Sequence, residues 1–250
     1  MKKIELAQGI ILYTFPPRRE GAYFGDSITA IIDNNQAILI DVGFPDEAQQ
    51  VLEDLTSKGI AIDKIIISHF HDDHMDGLKV LPKVPVYGSS RFQETLDLWT
   101  EKEDHQYFTP TIAVEQPIKI EHGIHMLEII PQLGHSLCTV LVKINEQFLH
   151  VADEIMYATN NHPLLPSIEG RNRINVQLES WNKIKDYNTF TIIPGHGLPL
   201  DGNKLRKDIE NRTIYAEAIL ATNNPISFED ATKNCDCTFM HRDWHDHFAE

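Results

Sequence analysis

The densest chemistry in the sequence lies in six consecutive residues, His69-Phe70-His71-Asp72-Asp73-His74. Three imidazoles and two carboxylates offer neutral nitrogen and hard anionic oxygen, a donor mixture that suits Zn²⁺, iron or Mn²⁺. The apolar run 64–68 in front of them reads as a short buried strand, so the ligands leave a strand end together and converge at a sheet edge. A histidine-rich polar loop without a metal is the competing reading, and three later segments argue against it. Gly134-His135-Ser136, Val151-Ala152-Asp153 and Pro194-Gly195-His196-Gly197 each place one candidate ligand at or just after a predicted strand end. Their small neighbours allow backbone to approach an ion closely.

The elements that hold these loops follow from periodicity. Residues 9–15 and 29–42 read as strands, with Asn34-Asn35 as a two-residue hairpin turn because Asn tolerates positive φ. Residues 45–58 place Ala48, Val51, Leu52 and Leu55 on one helical face, and Gly59 stops the helix. Short strands are expected at 84–87, 111–114 and 125–130, and a helix at about 90–101. A second hairpin turns at Asn145-Glu146. A helix over 175–187, a strand over 190–193 and a long helix over 203–222 follow. Strands alternating with helices, interrupted by hairpins, predict an α/β protein of layered sheets flanked by helices. No repeat or linker-like stretch divides the chain, so residues 1–250 are expected to form one domain with a polar tail from about residue 225.

A formal charge of −15 argues against a nucleic-acid partner, because phosphate neutralisation needs Lys and Arg. No run approaches the roughly 20 apolar residues of a membrane span. Glu5 and Gln8 interrupt any signal-peptide core after the two N-terminal lysines, so a cytoplasmic location is expected. Three cysteines, Cys138, Cys235 and Cys237, fit a reducing compartment better than a disulfide framework. A small-molecule substrate is expected, with self-association left open.

In their order along the chain, the HxHxDH loop, the Gly-His-Ser segment, Asp153 and the Pro-Gly-His-Gly segment resemble the metallo-β-lactamase superfamily over about residues 9–222. The resemblance implies a four-layer αββα sandwich with its site along one edge of the two sheets. It implies that His69, His71 and His135 hold one divalent ion, that Asp73, His74 and His196 hold a second, and that Asp153 bridges both. Zinc is the expected metal, with iron and manganese as alternatives. Asp41, in the segment LIDVG, would orient the site from behind the ligands; a turn carboxylate preceding a helix is the other reading. The chemistry implied is hydrolysis by a hydroxide shared between the ions, with Asp73 holding the nucleophile in line.

Within that superfamily, the lactamase branches carry a cysteine ligand or lack the bridging carboxylate, whereas this chain has Asp153 and no cysteine at a ligand position. Its ligand set looks like that of the hydroxyacylglutathione hydrolases and acyl-homoserine lactonases. The expected activity is cleavage of a small ester, thioester or lactone. The alternatives are an iron-dependent oxidoreductase resembling persulfide dioxygenases, and a phosphodiesterase or nuclease.

Four features stay open. Tyr157 is either an oxyanion donor, as a tyrosine near this position is in quorum-signal lactonases, or a core aromatic. The stretch 160–175 is long enough for a binding loop, in which His162, Leu164 and Leu165 would line an acyl pocket. There Arg171 and Arg173 would meet a substrate anion, or merely solvate the loop. The tail residues Cys235, Cys237, His241, His245 and His247 allow a second metal site, or a segment that packs Phe239 and Trp244 onto the body.

Overall fold

The computed structural model describes residues 1–168 and 170–248, with side chains up to residue 246 in that range. Seven strands form the first sheet in chain order: β1 (Lys2–Ala7), β2 (Ile10–Thr14), β3 (Ser27–Asp33), β4 (Gln36–Ile40), β5 (Ala61–Ile66), β6 (Val86–Ser89) and β7 (Ile112–Val114). β1 to β4 are antiparallel neighbours joined by short turns. From β4 onward the pairing is parallel, because α1 (Pro45–Ser57), α2 (Asp72–Met75), and then α3 (Phe92–Trp99) with α4 (His105–Phe108) fill the crossovers.

The second sheet contains β8 (Ile118–His122), β9 (His125–Pro131), β10 (Val140–Ile144), β11 (Phe148–His150), β12 (Thr191–Ile193) and β13 (Leu200–Asp201), in the order β13-β12-β11-β10-β9-β8. β11 and β12 are its parallel pair, and α5 (Ile174–Ile184) lies in their crossover. The chain then runs through α6 (Gly202–Leu220) and α7 (Phe228–Thr232).

The period of two along each strand sorts the apolar side chains into layers. In β4, Ile38 and Ile40 join the core between the sheets, while Ala37 and Leu39 face the first helical layer. In β10, Val140 and Val142 point into the same central core and Leu141 points at the opposite helices. Strands buried on both faces explain the continuous apolar runs in the sequence. α1 covers the first sheet with Ala48, Val51 and Leu55, and α5 and α6 cover the second with Trp181, Leu205 and Ile209. The result is the αββα sandwich expected from the sequence.

Both predicted hairpin turns are present. Asn34 and Asn35 have φ of 46° and 64°, and Asn145 and Glu146 have 54° and 53°, the doubly left-handed geometry that matches strand twist. The sequence reading lacked β1, β8 and β13. Each lies on or next to a sheet edge, and the exposed, charged residues Lys2, Lys3, Lys119 and Glu121 dilute the apolar signal of β1 and β8.

The tail carries apolar side chains back onto the body, the second of the two readings its sequence allowed. Phe239 is buried against the α6 layer, and Met240 exchanges backbone hydrogen bonds with the loop after β11, accepting from Leu165 N and donating to Pro163 O, both at 2.9 Å. Among the described residues no helix is long and apolar enough to cross a membrane.

The two sheets are joined at the edge where the candidate ligands lie. Val140 N donates to Ser68 O at 2.7 Å, and Ser27 Oγ donates to Gly195 O at 2.7 Å. Phe70, inside the HxHxDH loop, is fully buried beside Gly88 of β6; a Cβ at Gly88 would lie 2.6 Å from its ring. Gly88→Ala therefore forces Phe70 off its rotamer, and urea unfolding is expected to show a loss of about 1–3 kcal/mol. An unchanged midpoint would mean that this loop yields freely.

At the start of α1, the buried Glu47 accepts the Phe44 N–H at 3.1 Å and lies 3.4 Å from Arg18. Burial, with the Asp26 carboxylate nearby, pushes its pKa up to about 7 against the opposing pull of the Phe44 N–H and Arg18. A carboxyl raised in the folded state stabilises the fold below its ordinary pKa and loses that contribution as pH rises through about 7. The stability difference between wild type and Glu47→Gln is thus expected to shift in favour of the variant from pH 5 to pH 8. Parallel pH profiles from denaturant titrations would contradict the assignment.

Candidate metal centre

Each candidate ligand stands at the carboxyl end of a strand or in a loop beside one. Asp41 follows β4, His69 to His74 follow β5, His135 lies between β9 and β10, Asp153 follows β11 and His196 follows β12. Chain ends of parallel strands all open on one edge, which is where α/β sheets form their clefts. Three groups of side chains there bring ligand atoms within 4.8 Å of one another: His69, His71 and His135; His69, His74 and Asp153; and Asp73, His74 and His196. The seven side chains expected from the sequence thus form one centre.

Asp153 sits in the middle. Its Oδ2 lies 3.2 Å from His196 Nε2, 3.4 Å from His74 Nε2, 3.8 Å from His69 Nε2 and 3.9 Å from His135 Nε2. Asp73 Oδ2 lies 3.3 Å from His196 Nε2. On the other side His71 Nδ1 meets His69 Nε2 at 3.0 Å and His135 Nε2 at 3.2 Å.

Hydrogen bonds on the far side of the rings fix which nitrogen faces the centre. His74 Nδ1 donates to Asp41 Oδ2 at 2.8 Å, His196 Nδ1 to Gly25 O at 3.1 Å, and His135 Nδ1 to Ser167 O at 3.1 Å. Ser68 Oγ donates to Asp41 Oδ2 at 2.7 Å and therefore accepts from His69 Nδ1 at 3.1 Å. With Nδ1 carrying the proton, the Nε2 lone pairs point inward, as a metal requires of neutral imidazole.

The electrostatics ask for positive charge. Burial pulls His74 down, but Asp153, Asp73 and Asp41 outweigh it and hold the ring well above the usual histidine range. His196 behaves alike, with Asp153 and Asp73 overcoming burial. Burial and the neighbouring His74 and His71 rings hold His69 well below that range. His74 Nε2, His196 Nε2 and Asp153 Oδ1 are buried without a hydrogen-bond partner. Inward lone pairs, a buried carboxylate and orphaned polar atoms together fit divalent ions.

The loops are packed tightly enough to hold this geometry. A Cβ at Gly195 would lie 2.2 Å from Asp153 Oδ1, and one at Gly134 would lie 2.1 Å from Glu154 Oε1. Asp41 accepts Ser68 N at 2.7 Å as well as the two side chains above, which ties Ser68 and His74 together behind the candidate ligands. It holds φ of 58°, a left-handed conformation rare outside glycine.

Glu154 was missed in the sequence. It is buried beneath the centre, accepts His135 N at 3.0 Å, Gln177 Nε2 at 2.7 Å and Ser180 Oγ at 2.6 Å, and its carbonyl accepts Trp181 Nε1 at 2.7 Å. It ties the His135 loop to α5. No local pattern marks it, since its partners are far apart in the chain.

A cavity of about 670 Å³ opens over the centre and reaches His71, Asp73, His135 and Asp153. The stretch 160–175 does form part of its wall, but through Ser167, Ile168 and Gly170. Leu164 and Leu165 are fully buried in the interior instead, and His162 is exposed outside the cavity. Arg173 donates to Gly134 O at 2.8 Å, and Arg171 donates to Ile219 O and Thr222 O. Both arginines brace backbone and do not line the cavity. Tyr157 is likewise buried: its hydroxyl donates to Asp208, beside Lys204 and the Arg212 guanidinium over its ring. The phenol is thus turned into α6 and away from the cavity, the placement of a core aromatic.

The tail gives no second metal centre among the described residues. Cys235 Sγ donates to Asn211 O at 3.4 Å, His245 bonds Tyr215 and the Ile226 carbonyl, and His241 stacks on Trp244. The side chain of His247 lies outside the described residues.

The superfamily model described as the metallo-beta-lactamase superfamily matches residues 24–196. Among solved structures, the chain is similar to VMB-1, with 20% identity and a TM-score of 0.66, covering 84% of this chain and 94% of that one. A metallo-β-lactamase from Pontibacter korlensis gives 16% identity and a TM-score of 0.68, covering 84% and 99%. TMB-1 gives 19% and 0.67, covering 84% and 96%. At these identities the structures share a fold; the match over residues 24–196, which spans the ligand loops, is the stronger finding, and by it this chain belongs to the metallo-β-lactamase superfamily.

Proposed function

We propose that the chain is a hydrolase that uses two divalent ions, zinc in the first instance, to cleave a small carboxylic ester, thioester or lactone. Superfamily membership and the His/Asp groups support a metal-dependent hydrolase in general. The observation that carries the two-ion reading is Asp153, whose single oxygen Oδ2 lies within 3.9 Å of imidazoles from both sides of the centre. The same carboxylate, with no cysteine among the ligands, favours ester chemistry over the lactamase branches. His69, His71 and His135 would hold one ion, Asp73, His74 and His196 the other, with Asp153 between them.

When bound, such ions supply a water acidified toward neutral pKa and a positive partner for the oxygen that becomes negative. The protein supplies position. Burial raises the Asp73 carboxyl, but the His74 and His196 imidazoles overcome this and hold it down to about 2. Asp73 is therefore an acceptor at neutral pH, and its partly exposed carboxylate at the cavity floor orients an attacking water by taking its hydrogen bond. Asp41 and Ser68 keep His74 and His69 aimed at the centre, which spares any reorganisation at the moment of reaction.

The direct test is turnover by the zinc- or manganese-loaded protein of p-nitrophenyl esters and simple lactones, set against bis-p-nitrophenyl phosphate and a chromogenic cephalosporin. Ester or lactone turnover is the expected result. Exclusive phosphodiester cleavage would overturn it, as would exclusive opening of the β-lactam amide, the activity named for the structural neighbours, or oxygen consumption by an iron form. His71→Ala is expected to lower both bound metal, by elemental analysis, and ester turnover more than about 100-fold, since outer partners of ligands alone cost 10–100-fold. Full turnover without metal would remove the assignment. Asp41→Asn, which leaves every ligand in place, is expected to weaken metal binding by about 10–100-fold in chelator competition. An unaltered affinity would deny Asp41 its anchoring role.

A further inference from the structure

The cavity above the centre is walled by aromatic rings from three distant parts of the chain. The Phe24 ring lies 4.5 Å from that of His196, and the Trp99 ring 5.4 Å from that of His71. Both sides of the centre are thus flanked by an apolar face. Trp244, from the C-terminal segment, lines the cavity 6.0 Å from Phe24 and is stacked at 4.0 Å on His241. It lies beyond residues 24–196, the stretch that the superfamily model matches. The segment is fixed in place by the two Met240 backbone bonds and by the buried Phe239.

The charged side chains of the cavity wall are all acidic, and two of them belong to the centre that would hold the ions. Asp72, Asp73 and Asp153 line the cavity, and no Lys or Arg does so among the described residues. Arg171 and Arg173, the nearby cations in sequence, are bonded to backbone carbonyls. An anionic arm reaching past the centre therefore finds no cationic side chain among the described residues that line the cavity. The rest of the wall is made largely of Phe24, Trp99, Met156, Ile168 and Trp244, and a charged arm of either sign would give up its hydration to reach it.

We propose that Phe24, Trp99 and Trp244 select a substrate whose arm is uncharged and apolar, an acyl chain or aryl ring attached to the scissile carbonyl. The inference rests on the ester reading above. Trp99 is 59% exposed beside Leu98 at 71%, which leaves an apolar lip at the mouth that an entering arm covers.

Three phenyl esters of equal arm length test it on the metal-loaded protein: hexanoate, the adipate monoester with its terminal carboxylate, and 6-aminohexanoate with its ammonium. Hexanoate is expected to exceed each charged ester at least tenfold in kcat/KM. It should also exceed acetate by up to roughly fourfold per added methylene. Trp99→Ala and Trp244→Ala are expected to raise KM for hexanoate fivefold or more, with a smaller change in kcat, and Trp244→Phe to restore most of it. If Trp244→Ala does not fold, the exposed Trp99 carries the same test. Preference for a charged arm, or KM values within twofold of wild type in the variants, overturns the proposal while leaving ester hydrolysis intact. If no ester is turned over, the ester reading fails on its own. Calorimetric titration of the metal-loaded protein with the hexanoate and adipate esters then decides the wall: tighter hexanoate binding supports it, equal Kd values overturn it.

Discussion

A carboxylate buried among four imidazoles is the constraint on which this structure turns. Removing Asp153 from water costs several kcal/mol unless compensating charge stands beside it. Its neighbours supply that charge only by holding protons well above their ordinary range or by sharing a cation. Every layer around it serves this requirement. The imidazoles turn lone pairs inward because Asp41, Ser68, Gly25 and Ser167 occupy their other nitrogens. Those partners are in place because five loops end at one edge of two joined sheets.

Beneath this centre lies a second buried network with no access to the reaction. Glu154 gathers donors from the His135 loop and from α5, while Arg212 on α6 donates to Met156 O and Leu164 O just after Asp153. Tyr157 and Asp208 complete the link to α6. Buried polar groups satisfied in this way specify one arrangement, since breaking any member leaves the rest unpaired in a low dielectric. The backbone bears the cost locally: Ala152 and Asp41, both adjoining the centre, hold φ of 49° and 58°. Helices far from the cavity thereby set the position of ligands at its floor.

The sequence was most legible where one residue type answers to one demand. Imidazoles and carboxylates in HxHxDH, glycines beside His135 and His196, and paired Asn residues at a turn each reflect a local need, and the structure brings them where the pattern indicated. It was least legible where polarity alone had to be interpreted. Tyr157, Arg171 and Arg173 look like cavity residues because they are polar near Asp153, yet each finds its partner some 40 or more residues away or on an adjacent loop's backbone. Glu154 is the converse case, a structural carboxylate next to a candidate ligand. The tail held both kinds of signal: its Cys and His residues allowed a second metal site, and Phe239 and Trp244 a segment packed on the body, which is where these two side chains lie.

Charge also links the two halves of the chemistry proposed for the cavity. A neutral ester feels little of the field of a chain carrying −15, and apolar walls favour its arm. Hydrolysis leaves the arm on a carboxylate whose cationic partners would be the ions of the centre, since no described Lys or Arg lines the cavity. The arm stays on the acid product while the alcohol departs, so the product's hold on the wall rests on the same apolar contacts that the substrate made. A Lys or Arg on the same wall would add a second anchor for the product carboxylate beyond the ions. Placing the arginines on backbone carbonyls, outside the cavity, leaves the product without that anchor.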